Sequence, residues 1–251
     1  MKKKILLTLI QAILATMVMS QKTVLHTNMQ WFQYNSQIRL NGKLTLSADA
    51  GIRRSDALHE LALRHFRTGI GYPVAKGFQG LTGIGTFVSY SGNIRNRTEI
   101  RLYQDLTRST EFRKIRLQHR LRMEARYFIN RTGNSFTEPT NFNFRFRYRF
   151  YTQTGLIPLS ANHPDRMLLF NLGDEIMVNA GSQIKYNRLD NNRLLIGSGI
   201  DWSPHLNISL NYVHQFGQRN RPDTYEESDI LWLTINHRIG FASRKANPKI
   251  R

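Results

Sequence analysis

Three kinds of side chain in this sequence have the types and spacing to do chemistry: histidines near acids, an adjacent acid pair, and arginines at every second position. The stretch "HELALRH", His59 to His65, resembles the helix of a zinc hydrolase, which needs histidines at i and i+4 with a glutamate between them. Here the fourth residue on is Leu63 and the second histidine comes only at His65. The spacing fails, and we expect loop and strand residues. Asp174 and Glu175 could form an acid pair, but adjacent residues of a strand face opposite sides, which argues against shared work. His119, His214 and His237 each break an otherwise apolar face, so they are the histidines to watch for catalysis. A position at a membrane interface explains them equally. The glycines of "GLTGIGT" and "LIGSGI" open no helix and so spell no phosphate loop. They read as places where bulk is relieved in a strand.

The arginines give the strongest signal. In "NFNFRFRYRF", Asn141 to Phe150, the rings Phe142, Phe144, Phe146, Tyr148 and Phe150 alternate with Asn143, Arg145, Arg147 and Arg149. Successive side chains of a β-strand point to opposite faces, so one face is apolar and the other charged. A helix of period 3.6 would scatter both kinds. Residues 115–128 repeat the pattern, with Arg116, Gln118, Arg120, Arg122, Glu124 and Arg126 on one face, and Glu99, Arg101, Tyr103 and Asp105 do so nearby. Nucleic-acid binding would want rings and arginines on a shared face. This alternation separates them, so no nucleic-acid partner is expected.

The elements that position these residues follow from the rest of the chain. Its 251 residues suit one large all-β domain, and the formal net charge is +19. Residues 1–20 combine "MKKK" with an apolar run and resemble a cleaved signal peptide. Removing Lys2, Lys3 and Lys4 takes the charge from +19 to +16. The competing reading, a membrane anchor, wants about 20 apolar residues. There is no cysteine, which excludes disulfides and thiol chemistry. No metal or other cofactor is expected.

Eleven candidate strands run from Thr27 to Phe241. Most are about 10 to 16 residues long, against a usual 5 to 6, and a tilted membrane strand needs about 9 to 11. Turn signals separate them: "NG" at Asn41, "YPVAKG" at Tyr72, "TGN" at Thr132, "SANHPD" at Ser160, "SPH" at Ser203 and "NRPD" at Asn220. "NG" and "SPH" look like tight periplasmic turns, while "NIRNR" and "GQRNRPDTYEES" look like outer loops. Bacterial single-chain barrels have even strand numbers, so eleven implies one strand merged or split, most simply near Trp31 to Leu40.

The expected fold is an all-β, antiparallel transmembrane barrel of about 10–12 strands over residues 21–243, followed by a basic tail, 244–251. Each arginine in lipid would cost about 2–4 kcal/mol at the midplane, so the charged faces should line the lumen. The candidate luminal network is Glu99, Arg101, Asp105, Arg116, Arg120, Arg122, Glu124, Arg126, Arg145, Arg147, Arg149, Glu175 and Arg193. Its carboxylates are too few to pair with every arginine, so water or an anion should enter. The rival architecture is an exported β-sandwich with apolar faces packed together. It explains alternation but not strand length, nor a chain closing in "LWLTINHRIGF".

Several motifs also carry a resemblance. "MQWFQY", "TEIRLYQDL", "LQHRLRMEARY", "FRFRYRF", "LGDEIMVN", "NRLLIGSGI" and "ISLNYVHQF" follow in an order that is similar to a family of uncharacterised bacterial outer-membrane β-barrels, the domain of unknown function 2490 type. The resemblance places the family's recurrent positions on Trp31, Glu99, Arg101, Arg120, Glu124, Arg126, Arg145, Arg147, Glu175, Asn192, Arg193, Gly197 and Tyr212. It implies a Gram-negative outer-membrane location and no activity. The expected partners are outer-membrane lipid, the barrel assembly machinery through the C-terminal strand, and small anionic solutes. Three functional readings stay open: a structural barrel or narrow passive pore, a barrel enzyme acting on lipid or lipopolysaccharide, and an adhesin or receptor working through a loop at Pro222 to Glu227.

Overall fold

A computed structural model describes residues 22–132, 135–136 and 141–240. The expected leader and basic tail lie outside these. The described residues form twelve strands and no helix: β1 (Thr23–Arg39), β2 (Thr45–Ser55), β3 (Glu60–Ala75), β4 (Phe78–Ser91), β5 (Ile94–Phe112), β6 (Ile115–Thr132), β7 (Ser135–Phe136), β8 (Asn141–Pro158), β9 (Met167–Ala180), β10 (Leu189–Ser203), β11 (Leu206–Gln218) and β12 (Thr224–Gly240). β7 pairs only with the end of β6. The other eleven pair in the order β5-β4-β3-β2-β1-β12-β11-β10-β9-β8-β6, and β5 pairs with β6 to close the ring.

Eleven is the count, and the even number expected of a bacterial barrel does not hold. β1 runs unbroken through the stretch where a merger was expected. A consequence follows from counting alone. In a meander each strand reverses the last, so with an odd number the first and last run the same way. β1 and β12 accordingly pair in parallel over Thr23↔Thr224 to Arg39↔Gly240, whereas every other pair is antiparallel. The barrel is mixed rather than purely antiparallel. Its two terminal strands begin at one rim and finish at the other.

The seam is directly testable. Phe32 and Leu233 are register partners across it and both point outward. Because the chain has no cysteine of its own, Phe32→Cys with Leu233→Cys is expected to cross-link with a short bifunctional thiol reagent. Phe32→Cys with Thr234→Cys, on opposite faces, is expected not to. The reverse pattern in a gel-shift assay would refute the parallel register.

The turns sort by rim. "NG" joins β1 to β2 and "SPH" joins β10 to β11, both at one end. Asn41 Oδ1 accepts the amides of Lys43 and Leu44 at 2.8 and 2.7 Å, and Ser203 Oγ those of His205 and Leu206. At the opposite end Gly92 and Asn93, both at positive φ, make the two-residue β4–β5 turn that such dihedrals favour. Two expected loops are mostly strand, with turns left at Gly92–Asn93 and Arg219–Asp223. Ile94 to Arg97 of "NIRNR" opens β5, and β12 begins at Thr224. The segment offered as an adhesin loop is therefore mostly strand wall.

Burial is inverted relative to a soluble protein. Every barrel strand exposes large apolar residues outward: Phe32, Ile52, Phe66, Ile84, Leu102, Leu121, Phe146, Ile176, Ile196, Leu210 and Leu231 are all 40% or more exposed. The buried side chains include Glu99, Arg101, Arg122, Glu124, Arg126, Arg145, Arg147 and Glu175. A sandwich would bury the former and wet the latter, so the sandwich is excluded.

Candidate functional site

The interior has two halves. On β1, β10, β11 and β12 it is largely uncharged: Trp31, Val213 and Ile230 are nearly or wholly buried, with Met29, Leu195 and Trp232 packed on them, among buried Ser209, Asn211, Gln215, Ser228 and Thr234. The alternation of Trp232, Thr234 and Asn236 with Leu231, Leu233 and Ile235 marks its inward face on β12, but in the apolar run Ile230 to Leu233 nothing singles out Ile230 as a core residue. A row of amides borders it. Gln153 donates to Asn171 at 3.0 Å and Asn171 to Asn211 at 3.1 Å.

The other half, on β5, β6, β8 and β9, is ionic. Alternation puts arginines directly opposite one another, as in Arg101↔Arg126 and Arg120↔Arg149 and Arg122↔Arg147. Like charges so placed repel. The arrangement stands because carboxylates sit beside or diagonally across from them. Glu124 accepts from Arg145 Nε at 2.7 Å and from Arg147 Nη1 at 3.0 Å. Glu175 takes both of its oxygens to Arg147 Nη2 at 2.8 Å and one to Arg120 Nη2 at 2.6 Å, with Arg193 at 3.6 Å. Glu99 binds Arg101 at 2.5 and 2.9 Å and Arg126 at 2.5 and 3.3 Å. Asp105 holds Arg122 in a two-pronged contact of 2.5 and 2.7 Å. Paired planar contacts of this kind are the strong form of the ion pair.

Most of the thirteen residues expected to form the network thus meet in one cluster. Two do not join it. Arg116 lies toward a rim, bonded to Glu111 and Gln153. Arg149 bonds Gln118 Oε1 at 2.6 Å and no carboxylate. A further carboxylate, Asp190, belongs to it, and another, Asp49, forms a separate pair. Asp190 accepts from Arg145 Nη1 at 2.7 Å and Asn179 at 3.0 Å. Asp49 accepts from Arg67 at 2.8 Å and contacts His65 at 3.2 Å. Asp49 could have been found, since it alternates with Ser47, Gly51 and Arg53. Asp190 could not, because a bulge between Leu189 and Asn191 breaks the period there.

Rings complete the packing. The Arg101 guanidinium lies 3.4 Å from the centroid of Phe87, Arg122 4.5 Å from Tyr103, and Arg53 3.8 Å from Trp31. Desolvated cation–π contacts of this kind contribute up to about 2 kcal/mol. Tyr103 lies flat against Gly83, where an added Cβ would fall 2.5 Å from its ring. Here the glycine does relieve bulk.

Within this set, leaving aside Arg116 and Asp201 toward a rim, eight arginines (67, 101, 120, 122, 126, 145, 147 and 193) share six carboxylates (49, 99, 105, 124, 175 and 190). Arg53 and Arg149 have none, so ten cations face six anions. The excess is four positive charges. Arg120 Nε, Arg122 Nη1 and Arg149 Nε are buried without a hydrogen-bond acceptor.

The three watched histidines all lie on the outer face. His119 Nδ1 meets Tyr148 Oη at 2.8 Å, and His237 Nδ1 meets Tyr34 Oη at 2.9 Å. His214 uses both ring nitrogens, on Asp229 at 3.2 Å and Glu227 at 3.1 Å. None of the three has a serine hydroxyl as partner among the described residues. His59 sits in the β2–β3 turn and His65 inside the barrel, so "HELALRH" assembles nothing. Among the described residues no group of three or more His, Asp or Glu could hold a metal. Asp174 and Glu175 do face opposite ways. Glu175 is buried, while Asp174 is outside with Asn192 Nδ2 at 3.1 Å.

The fold and interior define an all-β barrel with an ionic core and an apolar exterior. Residues 28–226 match the family described as Protein of unknown function (DUF2490), and the chain belongs to that family. No curated protein and no solved structure matches it.

Proposed function

We propose that this is a Gram-negative outer-membrane barrel whose lumen is closed by its own side chains, a structural element of the membrane rather than an open channel. The observation that carries the reading is the inverted burial. Eleven strands each turn exposed apolar residues outward while carboxylates and guanidinium groups fill the inside. Contiguous apolar surface on this scale is not left to water. On β8 the outward rings Phe142 to Phe150 span about 26 Å of strand, or about 20 Å of height at a typical tilt, which fills most of an outer-membrane apolar band. Residues 1–20 would direct export, and β12 would engage the assembly machinery.

The reading of a closed lumen is supported by its middle, where Glu124, Asn171, Met177 and Val213 are 1% exposed or less, packed against neighbours and not against water. Purified protein reconstituted in planar bilayers is therefore expected to give no sustained current, with iodide efflux from proteoliposomes no faster than from protein-free vesicles. Ohmic single-channel steps would overturn the closed lumen. The excess of four positive charges supports a second reading, a narrow anion pore. That reading requires such steps, anion-selective and lost on substitution of Arg145 and Arg147.

A further inference from the structure

Arg53 stands apart from the rest of the interior. It faces inward from β2, directly opposite Trp31 in register, and its guanidinium lies over the indole at 3.8 Å. Among the described residues no hydrogen bond or ion pair reaches it. Its strongest charged neighbours are Arg193, Arg101, Arg67 and Arg145, all of its own sign. Three of these are neutralised: Arg67 by Asp49 at 2.8 Å, Arg101 by Glu99, and Arg145 by Glu124 and Asp190. The fourth is not. Arg193 gives its Nε to the neutral Gln215 at 2.7 Å and comes no nearer to Glu175 than 3.6 Å. It also flanks Trp31, 4.9 Å from the same ring centroid.

Two under-neutralised guanidinium groups thus share one nearly buried indole. A guanidinium with one face covered by a ring keeps its N–H donors in its plane, free at the edges, in the fork that matches an oxyanion. The barrel wall supplies no acceptor for those of Arg53. We infer that Arg53 and Arg193 form a binding site, backed by Trp31, for the phosphate or carboxylate group of a small water-borne solute entering from a rim. The site needs the closed barrel but not the membrane, so it stands or falls separately from the conductance result.

Inorganic phosphate is the probe. Detergent-solubilised protein is titrated with sodium phosphate against sodium chloride at matched ionic strength, and both the unfolding midpoint and tryptophan emission are followed. A ligand that binds only the folded state raises the midpoint with concentration, and ligation beside Trp31 changes its emission. Arg53→Gln is expected to weaken phosphate binding about tenfold or more, the loss of one or two charge-assisted hydrogen bonds. In chloride it should melt at most slightly below wild type, because the charge it removes has no ionic partner and only its stacking on Trp31 is lost. Arg64→Gln, an exposed control, should keep the phosphate response. A citrate titration, read in the same way, tests the carboxylate class. The inference fails if neither anion moves wild type, if Arg53→Gln responds as wild type does, or if that variant melts well below wild type in chloride, which would make Arg53 a purely structural partner of Trp31.

Discussion

Glu124→Ala is expected to destabilise the barrel by about 3–5 kcal/mol, the cost of leaving buried charge without its partner. Glu124 is 1% exposed and its two oxygens serve Arg145 and Arg147 at 2.7 and 3.0 Å, with Arg122 3.6 Å away. Removing it leaves one guanidinium with a single remaining partner. Arg147 retains Glu175 and Arg122 retains Asp105, but Arg145 falls back on Asp190 alone. Arg122 and Arg147, opposite one another in register, would also lose the anion lying between them. Urea unfolding followed by tryptophan emission measures the loss.

The size of that loss decides between two interiors. In a dry, side-chain-filled lumen the attraction is barely screened, and the full cost appears. In a water-filled lumen the pair behaves as an exposed one, worth about 0–1 kcal/mol. A loss under 1 kcal/mol would therefore contradict the closed barrel even if no current were ever recorded. Glu124→Ala with Arg145→Met, which removes anion and cation together, should recover part of the stability, as replacing buried pairs with apolar groups commonly does.

How much of this was legible beforehand varies with the physics of each part. The faces of β5, β6 and β8 were readable because a period of two leaves no freedom: once Phe146 is outside, Arg145 and Arg147 must be inside. The parallel seam was not readable from any residue, since it follows only from the parity of the whole count. Prior expectation of an even barrel pointed away from it. The uncharged half of the interior was partly legible, since Trp232 and Thr234 alternate with Leu231 and Leu233, but Ile230 and Leu231 look alike in sequence yet are 1% and 53% exposed. Asp190 was hidden by a bulge. Arg53 was in plain view on a recognised strand, but its lack of a partner is a property of space rather than of spacing.

Phe146→Arg is expected to cost about 2–4 kcal/mol when the protein folds into phospholipid vesicles, the penalty for a guanidinium on the lipid face near the midplane. Phe146 is 48% exposed on the outside of β8, with Met123 on β6 and Val178 on β9 as its register partners, so no polar group stands beside it to share the charge. In water the same change would trade an exposed ring for an exposed cation and alter stability by about 0.5 kcal/mol at most. Ile94→Arg supplies the depth control. Ile94 is 62% exposed at the first position of β5, at a rim, where the expected cost falls to about 0–1 kcal/mol. A penalty at Phe146 several times that at Ile94 means that hydrocarbon surrounds the middle of the wall. Equal, small penalties at both would mean that water does, and the outer-membrane assignment would have to be given up while the ionic core remained.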